Sequence, residues 1–119
     1  MLDSLMRLFR SKPTGQPEHA WRVWDSGDML HCSHEGKEEA VRWSDVSEIR
    51  IVTNDQGPWF PDVFWHIRSV GGELVFPQMA LGEKEVVDRV MKLPGFDFAA
   101  SNAAMTSAQN AEFRVWTAR

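Results

Sequence analysis

Two short runs rich in β-branched and aromatic residues, Val63 to Arg68 and Glu73 to Phe76, flank Gly71-Gly72, and this spacing constrains the fold more than any other feature of the chain. Glycine tolerates the positive φ angles of tight hairpin turns, so the two runs are expected to pair antiparallel. A further run lies just upstream. From Val46 to Val52 the apolar Ile49 and Ile51 alternate with Glu48 and Arg50, the period of a strand with one buried face. Asn54-Asp55-Gln56-Gly57-Pro58 closes that run.

Nearer the start, Trp21-Arg22-Val23-Trp24 and Met29 to Ser33 read as strands around the turn Asp25-Ser26-Gly27-Asp28. Ala40-Val41-Arg42-Trp43 reads as a third short strand after the polar turn Glu35-Gly36-Lys37. Beyond Phe76 the period changes. Val86, Val87, Val90, Met91 and Leu93 fall on one helical face, while Lys84–Asp88, Glu85–Arg89 and Asp88–Lys92 make opposite-charge pairs four residues apart. Glu83 and Glu85 suit the positive end of that helix, and Pro94-Gly95 ends it. Asp97 is placed to cap a second helix running to Met105, and Glu112 to Trp116 reads as a final strand. The order implies an α+β fold: an antiparallel or mixed sheet of about six strands with helices packed on one face, a PH-like arrangement being one that fits.

At 119 residues the chain is long enough for one domain with a real core. Leu2, Leu5, Met6 and Phe9 recur at helical spacing, which predicts an amphipathic helix over residues 1–12, a Pro-bracketed linker over 13–18 and a single α+β domain over 19–119. Arg7, Arg10 and Lys12 lie within or after that apolar stretch, the reverse of a secretory signal, and no apolar run is long enough to span a membrane. The expectation is a cytoplasmic protein without stable membrane insertion. Its oligomeric state is left open.

The net charge of −4 argues against a nucleic-acid partner and suits a basic protein partner. The single cysteine, Cys32, cannot form an internal disulfide. His31-Cys32-Ser33-His34 offers a thiol and imidazoles, yet on a strand Cys32 and His34 share one face and His31 the other, short of a zinc ligand set. No phosphate-binding glycine loop, serine elbow or zinc-protease pattern is present, so neither a metal, a cofactor nor an enzymatic activity is expected.

Two segments stand out for partner binding. Glu35, Glu38, Glu39, Asp45 and Glu48 form an acidic stretch, which is either a patch for a basic partner or an ordinary solvated surface. Asp55 to Asp62 is a loop longer than a hairpin needs, and it holds Trp59 and Phe60 between two prolines. Proline restricts the free loop, so an aromatic there resembles a pre-organised anchor, while the alternative is an aromatic folded back over the sheet end.

Val41-Arg42-Trp43-Ser44-Asp45-Val46, Ile49 to Asp55, Gly57-Pro58, Asp62-Val63-Phe64-Trp65, Leu93-Pro94-Gly95-Phe96-Asp97 and Trp116 together resemble a family of small bacterial proteins. Some similar small acidic proteins are immunity proteins of contact-dependent growth inhibition and other polymorphic toxin systems. The resemblance implies a protein that neutralises a cognate toxin domain, such as a basic nuclease, by occluding its active site. It assigns no toxin-contacting residue. A general protein- or ligand-binding module is the alternative, and a small enzyme is the least favoured.

Overall fold

The computed structural model describes residues 21–55 and 62–118. The expected N-terminal helix and linker lie outside these residues, as do Trp59 and Phe60. Three strands come first: β1 (Trp21–Asp25), β2 (Met29–His34) and β3 (Lys37–Arg42). A 3₁₀ turn, Trp43–Asp45, leads into β4 (Val46–Thr53), followed by β5 (Val63–Ser69) and β6 (Gly72–Pro77). Helices α1 (Glu83–Met91) and α2 (Phe98–Met105) precede β7 (Ala111–Thr117).

The seven strands form two sheets rather than one sheet of about six. One sheet has the order β1-β2-β3 and the other β6-β5-β4-β7, with every pairing antiparallel. The division falls at Trp43–Asp45, where the chain leaves β3 and starts β4 as the interior strand of a new sheet. β3 also begins earlier than its apolar residues suggest, because the turn after His34 puts Lys37 straight into register with His34.

Alternation places the core between the two sheets. Ile49 and Ile51 of β4, Val63, Trp65 and Ile67 of β5, and Leu74 and Phe76 of β6 are buried from the four-stranded side. Val23, Leu30 and Cys32 are buried from the three-stranded side, with Cys32 Sγ 3.8 Å from the Val75 carbonyl of β6. α1 contributes Val86 and Val90 and packs near β1, whereas α2 packs on β7 and β4. Asp97 caps α2 as its position predicts, accepting from the Ala100 amide at 2.9 Å.

Two further connections hold the layers together. The segment before α1 lies along the outer edge of β1, where the Val23 amide donates to the Leu81 carbonyl at 2.9 Å and the Leu81 amide to the Trp21 carbonyl at 3.0 Å. Arg89 of α1 reaches the β1–β2 turn: its Nη1 lies 2.9 Å from both Asp25 carboxylate oxygens and 2.8 Å from the Gly27 carbonyl. Its guanidinium stacks over Trp43, whose indole also donates to Asp25 at 3.1 Å.

Partial burial pushes the Asp25 carboxyl up, but the Gly27 amide, Arg89 and Trp43 together bring it below the usual carboxylate range. A depressed folded value adds stability above the unfolded carboxylate range, and that stability is lost as pH falls through the folded value. Asp25→Asn is therefore expected to cost about 1–2 kcal/mol at neutral pH, after discounting for solvent screening. The gap to the parent protein should close in acid. Urea unfolding at pH 7 and pH 3 measures it, and an equal deficit at both would rule out the charge as its origin.

Candidate functional site

A groove runs between the outer edges of the two sheets, where β3 and β6 approach each other without pairing. At the end near the β5–β6 turn it widens to a cavity of about 420 Å³, lined by Glu39, Arg42, Asp45 and Glu73 among others. A second hollow of about 230 Å³ continues along β6, with Glu39 and Glu73 again in its wall beside Trp21, His34 and Lys37. The walls therefore carry three carboxylates against Arg42 and Lys37. Glu73 is further oriented by His66, whose Nδ1 lies 3.4 Å from Oε2.

The acidic stretch predicted from the sequence is distributed over the molecule rather than gathered into one patch. Glu39 and Asp45 face the same cavity. Glu38, one residue from Glu39, lies on the opposite side of its strand with Oε2 3.8 Å from His31 Nδ1. Glu35 occupies the β2–β3 turn with a positive φ of 52°, 3.8 Å from His34. Glu48 points from the outward face of the four-stranded sheet and is ringed by Arg50, Arg68 and Arg114.

Asp55 and Asp62 sit at the far end of β4 from Asp45. That strand spans eight residues, roughly 26 Å at ~3.3 Å per residue. The Asn54 amide donates to the Asp62 carbonyl at 3.0 Å and so closes the base of the loop between them. Trp59 and Phe60 of this loop fall outside the described residues.

Glu73, Arg42 and Lys37 are groove residues that the sequence does not single out. Each lies on a strand with no local motif, and only the approach of β3 to β6 gives them a common purpose.

The His31-Cys32-Ser33-His34 run is used for packing. His34 stacks on Trp21 with ring centroids 3.6 Å apart, and His31 stacks on Trp24 at 5.0 Å. Ser26 Oγ lies 2.8 Å from His31 Nε2. Burial, and then the charge of Glu39, push the Cys32 thiol up to about 11, so it is protonated at neutral pH and a poor nucleophile. Among the described residues no group of three or more His, Cys, Asp or Glu side chains is placed to hold a metal ion. Nor is any described helix long and apolar enough to cross a membrane. No protein family, curated protein or solved structure matches the chain.

Proposed function

We propose that the protein is an immunity-type binding protein that receives a basic, extended segment of a toxin domain in the β3–β6 groove and thereby blocks that domain's active site. The observation that carries this reading is the coincidence of three carboxylates, Glu39, Asp45 and Glu73, with two strand edges that no described strand pairs. Open edges supply backbone donors and acceptors to an added strand, and the carboxylates select for lysine and arginine on it. In a nuclease partner these carboxylates stand where substrate phosphates would. Lys37, Glu38, Glu39 and Arg42 along β3 oppose indiscriminate edge pairing, as charged edge strands commonly do.

The Asp55–Asp62 loop is the proposed second contact, with Trp59 as its anchor. Surface plasmon resonance against any toxin domain found to be encoded beside this chain tests both. The double reversal Glu39→Lys with Glu73→Lys is expected to weaken binding by about tenfold or more, largely through slower association that added salt masks. Trp59→Ala should act instead on dissociation. Unchanged kinetics for the folded double variant would place the interface elsewhere. A second reading, a general binding module of PH-like architecture, draws support from the seven described strands, arranged in two antiparallel sheets. Absence of any binding to the neighbouring toxin domain would favour it.

A further inference from the structure

Trp21, the first described residue, is tied to one place on the surface. Its carbonyl accepts from the Leu81 amide at 3.0 Å, so residues 1–20 join the body beside the segment that leads from β6 into α1. That neighbourhood is apolar. Leu81 is 52% exposed and Met79 65%, while Ala80 between them is buried, so both flanking side chains turn away from the core. Met105, 40% exposed at the end of α2, adjoins them, with its Sδ 3.3 Å from Gln78 Nε2.

Charge is missing from the same surface. No charged residue occurs from Pro77 to Gly82 or anywhere in α2, whose exposed positions include Ala99, Asn102 and Ala103. A surface helix ordinarily turns charged residues to water, and apolar residues scattered singly need no explanation. Here an uncharged helix meets an uncharged connecting segment, and three large apolar side chains stand exposed at the meeting point.

The first twelve residues carry an apolar surface of matching kind. Leu2, Leu5, Met6 and Phe9 share one face at helical spacing. Residues 13–20, which include Pro13 and Pro17, separate that stripe from Trp21 and can span up to about 26 Å when extended. Leu81 meets Trp21 directly, and Met105 meets Gln78 three residues away, so this tether reaches the whole strip. Charge agrees as well. Arg7, Arg10 and Lys12 outnumber Asp3 in the stripe's segment, whereas the chain as a whole has a net charge of −4. A short tether also supplies the stripe at an effective concentration on the order of a millimolar, ahead of any free partner.

We propose that the stripe of Leu2, Leu5, Met6 and Phe9 docks on the Leu81–Met79–Met105 strip of its own chain, covering the apolar surface between the start of α1 and the end of α2. Docking takes out of water a strip that would otherwise invite association between copies.

The test uses the full-length chain with isotopically labelled methionine and leucine methyl groups. Nuclear Overhauser cross-peaks are expected from Leu5 and Met6 to Met79, Leu81 or Met105. Leu5→Asp should abolish them and shift the Met79 and Met105 methyl resonances, leaving Met29 of β2 unmoved. Trypsin supplies an independent reading. The double variant Leu81→Ser with Met105→Gln should be cut after Arg7 and Arg10 about tenfold faster than the parent chain, because protection there follows the docked population and the cut sequence is the same in both.

Met79 and Met105 resonances unchanged by Leu5→Asp, with no cross-peaks in the parent chain, would overturn the proposal. So would equal cleavage rates for the parent chain and a folded double variant. Should the double variant not fold, Leu5→Asp still decides, since it alters no described residue. In a mixture of labelled and unlabelled chains, cross-peaks confined to labelled chains support docking within one chain. Cross-peaks that pass from labelled to unlabelled chains would assign the strip to a second copy and refute it.

Discussion

Gly82→Ala is expected to destabilise the protein by roughly 3 kcal/mol or more, lowering its melting temperature by about 10 °C or more. Two penalties combine there. Gly82 has φ +89°, a left-handed conformation that an L side chain adopts only at a cost. A Cβ added on that backbone would also lie 2.1 Å from the Val23 carbonyl oxygen, closer than any non-bonded carbon can stand. Relief requires the Leu81–Gly82 segment to leave β1, breaking the two backbone hydrogen bonds it makes there and shifting the start of α1. Thermal unfolding followed by circular dichroism measures the loss. A variant that melts with the parent protein would mean that this segment does not lie against β1.

Trp65→Ala should cost about 3–5 kcal/mol, a large share of the 5–15 kcal/mol by which a domain of this kind is stable. Trp65 is 1% exposed, at the centre of the core on β5. It also donates its indole N–H to Glu83 Oε2 at 3.1 Å, which separates two contributions experimentally. Burial pushes the Glu83 carboxyl up to about 7, the Trp65 donor opposes that rise, and Asp88 adds to it. A carboxyl with a raised folded value contributes stability that is complete below the unfolded value and is lost as pH rises through about 7.

Trp65→Phe refills much of the cavity but removes the donor that favours the ionised carboxylate. Its deficit should therefore be larger at pH 8 than at pH 5. Adding Glu83→Gln should remove that difference, because no charge is then left to desolvate. Denaturant unfolding of the three variants at both pH values decides the matter. A Trp65→Phe deficit independent of pH would mean that the indole and the carboxylate are not coupled.

Local chemistry made much of this fold readable. Gly71-Gly72 does join two paired strands, with Ser69 opposite Gly72. The apolar face of the first helix buries Val86 and Val90, and Asp97 caps the second. The division into two sheets was not readable, because alternation tells which face of a strand is buried and not which strand lies beside it. The same limit dispersed the acidic stretch. Period-2 geometry alone sends Glu38 and Glu39 to opposite sides of β3, whereas the ring around Glu48 depends on arginines brought from β5 and β7. The groove was hidden for a related reason: Glu39 and Glu73 become neighbours only when β3 and β6, edges of different sheets, come together.

Strand order also sets a sequence of events for a chain emerging from the ribosome. β1, β2 and β3 follow one another directly, so each can pair with its predecessor as it is made, and β4, β5 and β6 can do the same. The other edge of β4 has to wait, since its partner β7 follows both helices. During that interval the middle of the larger sheet is a temporary edge, and it carries Ile49 and Ile51 on one side. Closing a contact across so long an intervening stretch raises the contact order and slows folding. A half-made chain in that state can recruit a strand from a neighbour, so the arrival of β7 both completes the core and ends the period of greatest susceptibility to aggregation.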